Sequence, residues 1–134
     1  MSRALLQTVN PSVQAIEVNG IISPGTVVRR YGCNIQLSGN GQEISGEGYY
    51  KLLGTVTVEP TTIGNVSVSL LENGVQIPGA ISSGYAAAAD APVTLPIVCT
   101  VRKQCCGSGV SSITCVLTEG AGNVTNYSMQ ITKD

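Results

Sequence analysis

Apolar residues recur at every second position along this chain, in short runs cut by glycine, proline and asparagine. In Asn65–Leu71, Val66, Val68 and Leu70 take one side, and Asn65, Ser67 and Ser69 the other. Val93, Leu95, Ile97, Cys99 and Val101 line one face of a longer run. Ile113, Cys115 and Leu117 stand opposite Ser112, Thr114 and Thr118, and Tyr127, Met129 and Ile131 alternate with Asn126, Ser128 and Gln130. A strand turns successive side chains to opposite faces, whereas an amphipathic helix needs apolar residues three and four apart. No long window has the helical spacing, so the pattern admits half-buried sheet and little else.

The interruptions have turn chemistry. Asn19-Gly20, Asn40-Gly41 and Asn73-Gly74 accept the positive φ angles of tight hairpins. Pro60, Pro78, Pro92 and the pairs Gly107/Gly109 and Gly120/Gly122 mark the other breaks. The spacing predicts strands near Ala4–Val9, Val13–Asn19, Thr26–Arg30, Asn34–Leu37, Gly48–Glu59, Val66–Leu71, Val93–Arg102, Ser112–Leu117 and Val124–Thr132. The alanine-rich stretch Gly84–Asp90 reads as a loop or a small-residue strand. With no linker or charged tail, residues 1–134 are expected to form one all-β domain, an antiparallel β-sandwich.

Only 11% of residues are charged, against about 25% in an ordinary globular domain. Charged side chains normally cover the surface, so the exterior must be rich in Ser, Thr and Asn or be covered in part by other subunits. The seven basic and eight acidic residues are spread thinly, with Arg29–Arg30 and Arg102–Lys103 the only adjacent basic pairs. That is no concentrated footprint for nucleic acid. No apolar run approaches a membrane span, and the first residues lack the apolar core of a signal peptide. Synthesis in the cytoplasm, without a membrane partner, is the expectation. The glycosylation-like triplets at Asn65, Asn123 and Asn126 then read as ordinary Ser/Thr alternation.

The chain has no histidine, which excludes Ser-His-Asp and Cys-His catalysis and histidine-containing metal sites. The carboxylates are scattered beside turns, with no pair spaced as general acid and base. Asn40, Glu43 and Glu47 come nearest to a calcium loop and fall short of its ligand number. Gly46-Glu47-Gly48 reads as a turn, since no Lys or helix start follows it. The expectation is no catalytic, cofactor or metal residue. Five cysteines remain. Cys99 and Cys115 fall on apolar faces, and Cys33 is placed by the same alternation with Ile35 and Leu37, all three as core fillers. Cys105 and Cys106 are the candidate reactive thiols, open to a disulfide with Cys99, a soft metal or a cross-link between subunits. An odd cysteine count favours reduced thiols.

The stretch Ile44-Ser45-Gly46-Glu47-Gly48-Tyr49-Tyr50-Lys51-Leu52-Leu53-Gly54-Thr55-Val56-Thr57-Val58, followed by Gly64–Gly74, resembles the central strand and next hairpin of the tumour-necrosis-factor-like and complement globular-head jelly rolls. In length and wording the chain is also similar to small bacterial and phage-encoded proteins and to caps of collagen-like spore-surface filaments. It departs from the complement branch in having no Phe or Trp. The resemblance implies a jelly roll of about ten strands packed as a homotrimer, with Gly48–Glu59 and Val124–Thr132 toward the threefold axis. Tyr49, Tyr50, Leu53 and Tyr127 are its candidates for interface or core. The function implied is a non-catalytic surface or decoration protein of a virion or a bacterial spore or cell exterior, with its own copies and a capsid or other surface assembly as partners. The rival readings are a carbohydrate- or protein-binding sandwich and a thiol protein working through Cys105 and Cys106.

Overall fold

A computed structural model describes residues 3–39, 41–103 and 110–133. Among them are twelve strands: β1 (Ala4–Asn10), β2 (Gln14–Ile16), β3 (Gly20–Ile22), β4 (Thr26–Tyr31), β5 (Ile35–Ser38), β6 (Gly41–Ser45), β7 (Gly48–Pro60), β8 (Gly64–Glu72), β9 (Val75–Ala86), β10 (Val93–Lys103), β11 (Val110–Glu119) and β12 (Gly122–Lys133). They form two antiparallel sheets. The first runs β10-β7-β12-β1-β4, with β2 also on β12; the second runs β5-β6-β11-β8-β9, with β3 also on β11. All-β sandwich architecture is what the alternation requires, because each sheet has one apolar face that must be covered.

The longest pairing sets the frame. β7 lies between β12 and β10, with Leu52 opposite Ile131 and Cys99, and Val56 opposite Tyr127 and Leu95. The inward residues of β7, from Tyr50 through Leu52 and Val56 to Val58, are fully buried. They meet Val66, Val68 and Leu70 of β8 and Ile113, Cys115 and Leu117 of β11 in one core cluster. Deleting one such side chain, as in Leu52→Ala, removes about 2–5 kcal/mol in cores of this kind.

Polar groups inside are few and placed. Gln42 and Thr8, both about 1% exposed, are joined across the sheets by a 3.0 Å bond from Gln42 Nε2 to Thr8 Oγ1. A buried amide needs that partner, so the pair also fixes how the sheets register. The Tyr50 hydroxyl reaches the carbonyls of Ser45 and Gly46 and ties the β6–β7 turn to the strand it launches.

Several sequence expectations change here. β3, β6 and β9 have no counterpart among the anticipated strands, and Val13–Asn19 shrinks to β2 followed by a turn. β9 carries on through Gly84, Tyr85 and Ala86, leaving Ala87–Pro92 as the connection to β10. Its alternation is blurred by Pro78 and Gly79, with Gly79 at φ +80°. Asn73-Gly74 makes the expected hairpin, at φ 51° and 85°. Asn19 is also positive, at 68°. Asn40 lies outside the described residues. Cys33 is exposed and not in the core: β5 starts only at Ile35, so the alternation does not reach back to it.

Gly54 gives the clearest stability test. A Cβ there would sit 2.7 Å from Met129 Cε and 2.9 Å from the Ser128 carbonyl oxygen. The methionine tip can swing away but the backbone cannot. Gly54→Ala is therefore expected to destabilise the fold by about 1–3 kcal/mol, seen as a lower urea midpoint at unchanged slope.

Candidate functional site

The outward face of the first sheet carries large apolar side chains in the open. Strand register lines up its side chains in rows. One row holds Val98, Leu53, Gln130, Gln7 and Arg29; the next toward the start of β7 holds Thr100, Lys51, Thr132, Leu5 and Tyr31. On the other side lies Pro96, Thr55, Ser128 and Val9. Tyr49, Leu53 and Val98 are 54%, 52% and 66% exposed. A shallow depression of about 220 Å³ opens between Leu53, Thr55, Pro96, Val98, Ser128 and Gln7, floored by the backbone at Gly54. No carboxylate stands in these three rows. At their edge the Arg102 guanidinium lies 5.7 Å from the centre of the Tyr49 ring, its cross-strand neighbour.

The four residues singled out by resemblance divide in two. Tyr50 and Tyr127 are core, at 0% and 1% exposure. Tyr49 and Leu53 point outward on β7. The period-two rule separates Tyr49 from Tyr50 by itself, since adjacent strand residues cannot share a face. Val98 and Pro96 are not marked by the alternation, which singles out the inward face of β10; the register of β10 on β7 puts them beside Leu53 and Thr55. The exposed tyrosines form no single platform. Tyr85 is on the second sheet, and Tyr31 and Tyr49 are three strand spacings apart in the first, about 14 Å.

Cys99 and Cys115 are placed for packing. Burial pushes Cys115 up to about 12 and Cys99 up to about 11, from an ordinary value of 9.0. Burial likewise holds the Tyr127 phenol well above its usual range, with the neighbouring Cys115 adding to the effect. These groups are neutral at pH 7 and poor nucleophiles. Cys105 and Cys106 lie outside the described residues. Among the described residues, no three of His, Cys, Asp and Glu gather as a metal site.

In sequence, no family model and no curated protein matches the chain. In structure it superposes on the globular domain of zebrafish complement 1qA with a TM-score of 0.69 at 8% identity, over 96% of this chain and 94% of that one. Eiger TNF from S. frugiperda gives 0.69 at 10% identity, over 98% and 91%. The PRD1 vertex protein P5 gives 0.62 at 18% identity, over 96% of this chain and 71% of that one. The fold is thus the jelly roll of tumour-necrosis-factor-like proteins and complement globular heads, as the stretch around Gly48-Tyr49 led one to expect.

The buried acids give a pH prediction. A thiol or phenol whose pKa is raised by folding keeps its proton in the native state while the unfolded chain loses it. Stability is then level below about pH 9 and declines as pH rises toward 11 and 12. Urea midpoints at pH 6, 7 and 10.5 are expected to be equal for the first two and lower for the third. A rising midpoint at pH 10.5 would contradict the buried, protonated thiols.

Proposed function

We propose that this protein is a non-catalytic structural or binding module that self-associates as a homotrimer through the outward face of its first sheet. The observation that carries this reading is the exposure of Leu53 and Val98 side by side on rows without a carboxylate, with the exposed Tyr49 at their edge. Large apolar side chains set side by side in water mark contact surfaces. A chain with 11% charged residues also has less polar surface to spare than a monomer of its size needs. The fold shared with the complement 1qA head, Eiger TNF and the PRD1 vertex protein P5 supports the same direction. Of these, the vertex protein favours a virion over a spore or cell surface as the place of use.

Tyr50 and Tyr127 serve the fold in this reading, and Tyr49 and Leu53 the assembly. The test is light scattering coupled to gel filtration at micromolar concentration. The expected species is three times the 13.8 kDa chain, and a monomer overturns the proposal. Leu53→Glu with Val98→Glu is expected to give a monomer whose thermal midpoint lies within a few degrees of that of a folded single chain. Both positions are more than half exposed, so the charges cost little within the chain itself.

A further inference from the structure

The second sheet has an outward face of its own, on the side of the sandwich away from the apolar rows of the first. Period two places Asn65, Ser67 and Ser69 of β8 on that face, because Val66, Val68 and Leu70 fill the core. Register then supplies their neighbours. Tyr85 stands opposite Asn65 and Ser83 opposite Ser67 on β9, while Glu119 of β11 flanks Ser67 from the other side. Directly opposed side chains start about 5 Å apart, and successive rows on one face are about 7 Å apart. One aromatic ring, one carboxamide, one carboxylate and two hydroxyls thus share a patch three strands wide.

The patch is braced from within. Ser67 Oγ lies 2.7 Å from Ser83 Oγ and donates to Glu119 Oε1 at 3.3 Å. Thr118 Oγ1 donates to the Ser67 carbonyl at 3.1 Å. Gly120, at φ +80°, lets the β11–β12 turn rest on β8, and a Cβ there would lie 2.8 Å from the Asn65 carbonyl oxygen. These contacts set the Asn65 backbone and the Glu119 carboxylate in place before anything binds, which lowers the ordering cost of binding. Tyr85 is 65% exposed, and Asn65 and Glu119 are exposed as well. None of the three serves the core.

The chemistry of the patch selects its ligand. A pyranose offers an apolar C–H face that a tyrosine ring can cover. It also offers neighbouring hydroxyls, which the two oxygens of a carboxylate accept, while a carboxamide both donates and accepts. No strand of the second sheet carries Lys or Arg, and the charged residues of those strands are Glu43, Glu72 and Glu119. An acidic sugar is therefore repelled. Tyr85 and Glu119 stand two strand spacings apart, about 10 Å, so a disaccharide reaches both and a single ring does not.

We propose that this face binds a neutral oligosaccharide, with Tyr85 stacked on one ring and Asn65 and Glu119 holding hydroxyls of that ring and the next. The site lies on the opposite sheet from the apolar face proposed for trimerisation and does not rest on that reading.

Saturation-transfer NMR with maltose, cellobiose, lactose and mannobiose at millimolar concentration is the test, with digalacturonate as the acidic probe. At least one neutral disaccharide is expected to receive saturation, and digalacturonate none. Titration of the responding sugar is expected to show binding weakened about tenfold or more by Tyr85→Ala and by Glu119→Gln, and kept within about twofold by Tyr85→Phe. Unchanged urea midpoints establish that the variants are folded. Leu53→Glu with Val98→Glu is expected to bind the sugar as the wild type does, whatever its oligomeric state. No response from any of the four neutral disaccharides overturns the proposal, as does a response from digalacturonate. Affinity that survives Tyr85→Ala or Glu119→Gln also overturns it. So does sugar binding lost with Leu53→Glu and Val98→Glu, which would assign the sugar to the first sheet.

Discussion

Everything in this molecule hangs on the strand β7 and the two pairings it makes. Its inward side chains close the core against β8 and β11, while its outward ones, one residue along the backbone, build the exposed apolar face. One strand thus supplies both the stability of the chain and the surface by which the chain meets others. The alternation leaves no freedom to improve one at the expense of the other, because a shift of one residue would exchange the two faces.

That coupling explains where substitution is tolerated. Tyr50, Leu52, Val56 and Val58 are sealed, and Gly54 is small because Met129 and the Ser128 carbonyl occupy its space. Tyr49, Leu53 and Thr55 on the other side are exposed in the single chain. Apolar residues kept on that side do nothing for the core. A role between chains gives them a physical reason, and the low share of charged residues fits the same account.

The sequence made the two-faced strands legible wherever the alternation was clean, as in β7, β8, β10, β11 and β12. It hid β9, whose pattern is broken by Pro78 and Gly79, and β6, whose Gly41-Gln42 start puts a buried amide where an apolar residue was looked for. It misplaced Cys33 because alternation carries no information beyond the end of a strand. The site was half visible: Tyr49 and Leu53 could be named, whereas Val98 and Pro96 join them only through the register of β10 on β7.

The central claim is that the outward face of the first sheet is covered by other copies in solution. Hydroxyl-radical footprinting read by mass spectrometry measures this side chain by side chain. Val75, the first residue of β9, and Ile63, in the connection from β7 to β8, at 70% and 60% exposure, provide the exposed reference. The account predicts that Tyr49, Leu53 and Val98 are oxidised far more slowly than their exposure in a lone chain would give, and that Leu53→Glu with Val98→Glu restores the rate at Tyr49. Wild-type Leu53 and Val98 reacting as fast as Val75 and Ile63 would contradict it.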